Sequence, residues 1–134
     1  MSERLTFDSE AILAFYLNEP GGEIVKGCLH QVEKGDAEGF MNIVNVAEIY
    51  YILYRKDPAL AEEKCKALSL LGIKVIPVED NGIWRKAAQI KGRYSLSLAD
   101  AFAAATAETL DSRLVIGSDR EFKGLKLKVL KIRE

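Results

Sequence analysis

Five short strand-like runs punctuate this chain: RLTF (4–7), FMNIV (40–44), IKVIPV (73–78), RLVIGS (113–118) and KLKVLKI (126–132). The first four lie too far apart for hairpins, and helix-like patterns fill the gaps. SEAILAFYLN (9–18) and GEIVKGCLHQVEKG (22–35) occupy the first gap, NVAEIYYILYRK (45–56) and DPALAEEKCKALSLLG (57–72) the second. DNGIWRKAAQIKG (80–92) and LADAFAAATAETL (98–110) occupy the third. A helical crossover returns the chain to the same end of the sheet, so such strands run parallel. The fold class that follows is α/β: a mainly parallel central sheet of about five strands, flanked by helices on both faces in three layers. Ligands of such sheets bind outside the carboxyl ends of the strands.

The chain has 134 residues, which suits one domain over 1–134. No apolar run reaches the ~18 residues that would span a bilayer. The start, MSERLTFDSE, lacks the apolar core of a signal peptide, so a cytoplasmic protein with no membrane partner is expected. Cys28 and Cys65 both fall in helical patterns and are not spaced as a metal clip or disulfide framework. The single histidine, His30, excludes a His-based zinc site and is expected at a helix surface. Net charge is −1, so nucleic-acid binding through a broad basic face is not indicated. If four acids were set against bound metal, however, the remainder of the chain would carry +3.

Four acids are placed for that. Asp8 ends the first strand, Glu48 sits in the first turn of the helix after the second, and Asp100 lies near the start of its own helix. Asp119 follows the fourth strand. All four are expected at one edge of the sheet. Each also has a local explanation. SLAD spaces Ser97 three residues before Asp100, a capping-box pattern, and NVAE repeats it from Asn45 to Glu48. Asp8 and Asp119 can cap whatever follows them. Capping does not explain why Asp100 stands among Leu98, Ala99, Ala101 and Phe102, in a helix apolar on every side. Converging carboxylates repel, and a hard divalent cation relieves them. An all-oxygen site suits Mg²⁺ or Mn²⁺. Such an ion serves phosphodiester hydrolysis without a nucleophilic side chain.

At these residues the chain resembles the PIN-domain nucleases, in particular the VapC-type toxins of toxin–antitoxin pairs. The resemblance rests on FDSEAILAFYLNEPG, NIVNVAEIYYIL, YSLSLADAFAAATAE and RLVIGSDREFKGL, and covers nearly the whole chain. It implies a Mg²⁺- or Mn²⁺-dependent endoribonuclease acting on RNA, a homodimer, and a cognate antitoxin that reaches into the acidic cleft. It also implies that Asp8, Glu48, Asp100 and Asp119 are the catalytic, metal-binding acids, with Ser118, Asn45 and Ser9 orienting them. Where some members carry a further acid after the last one, this chain has Glu121, which is expected to face solvent. A second ion is then expected to be held weakly or to arrive with substrate.

Three further features are weighed against plain packing. Tyr50 and Tyr54 share a helix face, which suits either the core or a dimer interface. Arg85, Lys86, Lys91 and Arg93 precede the Asp100 helix, and Arg93 is the candidate phosphate contact. KGLKLKVLK reads as an edge strand protected by lysines. Two enzymatic or binding alternatives stay open. One is a haloacid-dehalogenase-like Mg²⁺-dependent phosphatase, which wants a second Asp where this chain has Glu10. The other is a catalytically inactive PIN-like binding module.

Overall fold

The computed structural model describes residues 3–79, 81–118, 122 and 124–133, the side chain of Asn81 excepted. Its elements are β1 (Glu3–Phe7), α1 (Ser9–Tyr16), α2 (Gly22–Lys34), β2 (Ala37–Asn42), α3 (Ile43–Lys56) and α4 (Pro58–Leu70). They continue with β3 (Ile73–Ile76), α5 (Asn81–Arg93), α6 (Leu98–Thr109), β4 (Arg113–Ile116) and β5 (Val129–Lys131). The five strands form one sheet in the order β3-β2-β1-β4-β5, and every neighbouring pair is parallel. The mainly parallel sheet expected from the spacing of the runs is thus fully parallel.

Alternation along each strand divides the core in two. Leu5, Phe7, Met41 and Val115 face one way and pack with Ala11, Ile12, Val25, Leu29, Ile49 and Leu53. Leu114 and Ile116 face the other way, among Ile83, Ala87, Phe102 and Ala104. Helices therefore cover both faces, and α6 is buried at every position from Ala101 to Ala107. Its run of alanines is what lets it lie against the sheet and α5 at once. α3 contributes to both clusters, with Val44 on one and Ile49 and Leu53 on the other.

Where the strands stop is set by polar side chains and proline. The second strand was expected to run to Val44. Instead it ends at Asn42, whose Oδ1 accepts from the Val44 N–H at 2.9 Å and caps α3. Asn45 is therefore inside α3 rather than its cap, and Glu48 lies in the second turn rather than the first. β3 stops at Ile76, because Pro77 has no N–H for the ladder. β5 covers only Val129–Lys131, at the sheet edge expected for the lysine-rich run. Among the described residues no helix is long and apolar enough to cross a membrane.

Asn42 does more than cap. It is fully buried, and its Nδ2 donates to Thr106 Oγ1 at 3.0 Å, joining the end of β2 to α6. Asn42→Ala should lower stability by about 2–3 kcal/mol, the sum of a lost cap and a lost buried hydrogen bond. Asn42→Ser keeps the capping oxygen and should lose about half of that. Denaturant unfolding of the two variants checks it; wild-type stability in Asn42→Ser would show that the link to α6 contributes nothing, and equal losses that the cap does not.

Candidate active site: an acid cleft at the carboxyl edge

From β1 the chain builds outward to β2 and β3, then returns to lay β4 on the other side of β1. The direction of winding changes between β1 and β4, and a crevice opens there at the carboxyl ends of the two strands. Asp8 sits in it. Its backbone N–H donates to the Val115 carbonyl at 3.0 Å, and its Oδ1 accepts from the Ala11 N–H at 2.7 Å, capping α1. The capping reading of Asp8 is therefore correct, but incomplete. Caps are normally solvated, whereas Asp8 is 2% exposed.

Burial pushes the Asp8 carboxyl up to about 8, against the lowering effect of the Ala11 hydrogen bond. The charges of Glu10, Asp100 and Glu48 push it further in the same direction. Glu48 and Asp100 are half-buried and face a cavity of about 450 Å³, together with Ser9, Glu10, Lys56 and Ser97. Asp100 is less buried than its apolar helix suggested. α6 opens to solvent in its first turn, where Leu98 is 53% exposed. The Asp100 N–H donates to Ser97 Oγ at 3.1 Å, the N-cap bond that the SLAD spacing predicts.

Asn45 and Ser9 tie the acid-bearing elements together. Asn45 is fully buried; its Nδ2 donates to the Ala99 carbonyl at 3.0 Å and to Ser9 Oγ at 3.3 Å. Ser9 Oγ in turn donates to the Asn45 carbonyl at 3.1 Å. These bonds join the residue after Asp8, the turn of α3 before Glu48 and the residue before Asp100. Among the described residues the buried Asn45 Oδ1 has no hydrogen-bond partner, which marks this corner of the cleft as able to accept one more donor.

Asp119 and Glu121 lie outside the described residues. Ser118 is half-buried just past β4. Arg93 is not in the acid cleft: it is exposed at the end of α5 and lines a separate cavity of about 250 Å³ with Lys86, Tyr94 and Lys126. His30 is exposed on α2, and both cysteines are free. Sequence reasoning missed Glu10 as a member of the cleft. It also missed Arg133, which pairs with Glu10 across 123 positions of sequence. No spacing signal connects residues so far apart.

Among the described residues no group of three or more His, Cys, Asp or Glu side chains is arranged to hold an ion. The donor chemistry of the cleft nonetheless suits a hard divalent cation: among the described residues the charges that raise Asp8 are those of three carboxylates, Glu10, Asp100 and Glu48, and a buried acid among like charges is stabilised by a cation.

The raised Asp8 carboxyl carries a stability signature. Between about pH 4 and pH 8 the native state keeps the Asp8 proton while the unfolded chain, titrating near 3.8, has lost it. Native stability should therefore fall as pH rises through that window and level off above it. In EDTA, Asp8→Asn should match the wild type near pH 4 and exceed it by a few kcal/mol at pH 8 to 9, as judged by urea unfolding across the pH range. Parallel pH profiles for the two proteins would show that Asp8 is an ordinary solvated cap.

The PIN domain family model matches residues 5–127. No curated protein sequence matches the chain. Among solved structures it is similar to a toxin–antitoxin complex from Klebsiella pneumoniae, with a TM-score of 0.74, 17% identity, and 97% of this chain and 98% of that one covered. It is similar also to VapBC2 from Rickettsia felis bound to a DNA fragment from its promoter (TM-score 0.75, 14% identity, coverage 96% and 98%). A third is VapC20 of Mycobacterium tuberculosis, described as a Sarcin-Ricin loop cleaving toxin (TM-score 0.64, 14% identity, coverage 82% and 86%). The family model covers nearly the whole chain, and the chain belongs to the PIN domain family.

Proposed function

We propose that this chain is a Mg²⁺- or Mn²⁺-dependent endoribonuclease, the toxin of a toxin–antitoxin pair, working in the cytoplasm. The observation that carries the reading is the buried Asp8 carboxyl at the β1/β4 crevice, within reach of the charges of Glu48 and Asp100. Support for RNA as substrate comes from the toxin of similar fold described as cleaving the Sarcin-Ricin loop. Support for an antitoxin partner comes from the neighbours of similar fold that are toxin–antitoxin complexes.

Asp8, Glu48, Asp100 and Asp119 would hold the ion. When bound, it would act as a Lewis acid on the scissile phosphoryl group and offset the charge that builds on the leaving oxygen. The chain's own contribution is placement. Asn45 and Ser9 fix the three described elements relative to one another, and Ser97 fixes the first turn of α6. Ser118 would orient Asp119. A phosphatase reading is less well supported, because Glu10, at the position where that chemistry wants a second aspartate, is committed to Arg133.

Single-stranded RNA should be cut in Mg²⁺ or Mn²⁺ and left intact in EDTA. Asp8→Asn and Asp100→Asn should each slow cutting at least ~100-fold. Release of phosphate from small phosphoesters with RNA left whole would favour the phosphatase instead. Self-association is assigned to α3, where Tyr51 and Tyr54 are 45% and 51% exposed and Tyr54 stacks on Tyr50 at 5.9 Å. Sedimentation at micromolar concentration should show a dimer burying about 1,200–2,000 Å², and Tyr54→Glu should return it to monomer. A wild-type monomer would remove that assignment.

A further inference from the structure

Glu10 lines the acid cleft two residues after Asp8, and its charge acts on Asp8 more strongly than that of Asp100 or Glu48. Left alone, it would add to the repulsion in the cleft. It is not left alone. Arg133, just past β5, pairs through Nη2 with Glu10 Oε1. Arg133 is itself anchored twice more: Nη1 donates to the Pro20 carbonyl at 2.7 Å, and its backbone N–H donates to the Gly117 carbonyl at 3.2 Å. On the other side of the carboxylate stands Gly117, where any side chain would run into Glu10. The guanidinium and carboxylate are 28% and 44% exposed, so the pair is partly shielded from solvent.

We propose that Arg133 is a resident counter-cation of the acid cleft: it holds Glu10 against Gly117 and cancels its charge, and the pair thereby sets how tightly the cleft takes a divalent cation. This rests on the metal-dependent reading above. Arg133 is a positioning residue, since it acts through Glu10. Glu10 is a carboxylate of the cleft held away from direct coordination. The arrangement allows a strongly acidic crevice without a fully uncompensated cluster of like charges.

The test is Mn²⁺ binding to the protein, followed by the loss of the free-ion electron paramagnetic resonance signal. Arg133→Gln uncovers one negative charge and should tighten Mn²⁺ binding about fivefold. Glu10→Gln uncovers the guanidinium and should weaken it by a similar factor. The double variant changes no net charge and should return to within about twofold of the wild type. If Glu10 is instead a direct metal contact, the double variant will bind as weakly as Glu10→Gln, and the proposal fails. It fails equally if Arg133→Gln binds Mn²⁺ no more tightly than the wild type does. Arg133→Lys preserves the charge and should keep wild-type affinity, so a shift there would show a purely structural effect. A wild type that binds no Mn²⁺ overturns the metal reading itself, which sets that failure apart from failure of the pair.

Discussion

β1 is the middle strand of a sheet covered on both faces, so whatever follows it emerges between two layers of apolar side chains. That residue is Asp8. The strand cannot deliver its next residue to water, because β4 lies alongside and takes the Asp8 N–H onto the Val115 carbonyl. A carboxylate in this position loses most of its hydration. The rest of the edge follows from that loss. α1 offers the Ala11 N–H, α3 and α6 bring further acids into range, and the cleft as a whole becomes a place where a cation is favoured. The sheet order, more than any single side chain, makes the site acidic in effect as well as in composition.

The three acid-bearing elements come from distant parts of the chain, and a small polar set holds them together. Asn45 donates to the turn that carries Asp100, and Ser9 donates to Asn45. Both are buried. Asn42 repeats the device one turn earlier, by capping α3 and reaching Thr106 on α6. Asparagine suits both places, since one side chain presents a donor and an acceptor to different elements. Apolar packing alone would hold α3 and α6 in contact, but would fix their relative height less sharply.

Much of this was legible in the sequence. Runs separated by helical patterns imply the parallel sheet, and the TFDSE run puts Asp8 directly after β1. What was not legible was local competition at the ends of elements. FMNIV looks like one strand, yet Asn42 turns the backbone into α3 two residues before the apolar run ends. Asp100 sits in an apolar sequence, but helical geometry places its first turn at an open rim, and the surrounding alanines bury only the turns beyond. Arg93 precedes the Asp100 helix in sequence and still faces another cavity, because adjacency along a chain says little about direction across a turn. The Glu10–Arg133 pair is a tertiary fact, with no periodicity to announce it.

The pairing register has a consequence for the order in which the molecule can be completed. β1 and β2 meet through a short separation, with Leu5 opposite Gly39, whereas Leu5 meets Arg113 of β4 only across most of the chain. Closing the longer loop costs more entropy and waits for more residues to exist. During synthesis, domains take shape as their segments are made, so Asp8 spends that interval beside a half-built sheet with one flank in water. The crevice, the buried acid and the clamp from Arg133 arise together, when the last strands dock. The protein thus carries its own timing: a nascent chain has the acids but not the cleft.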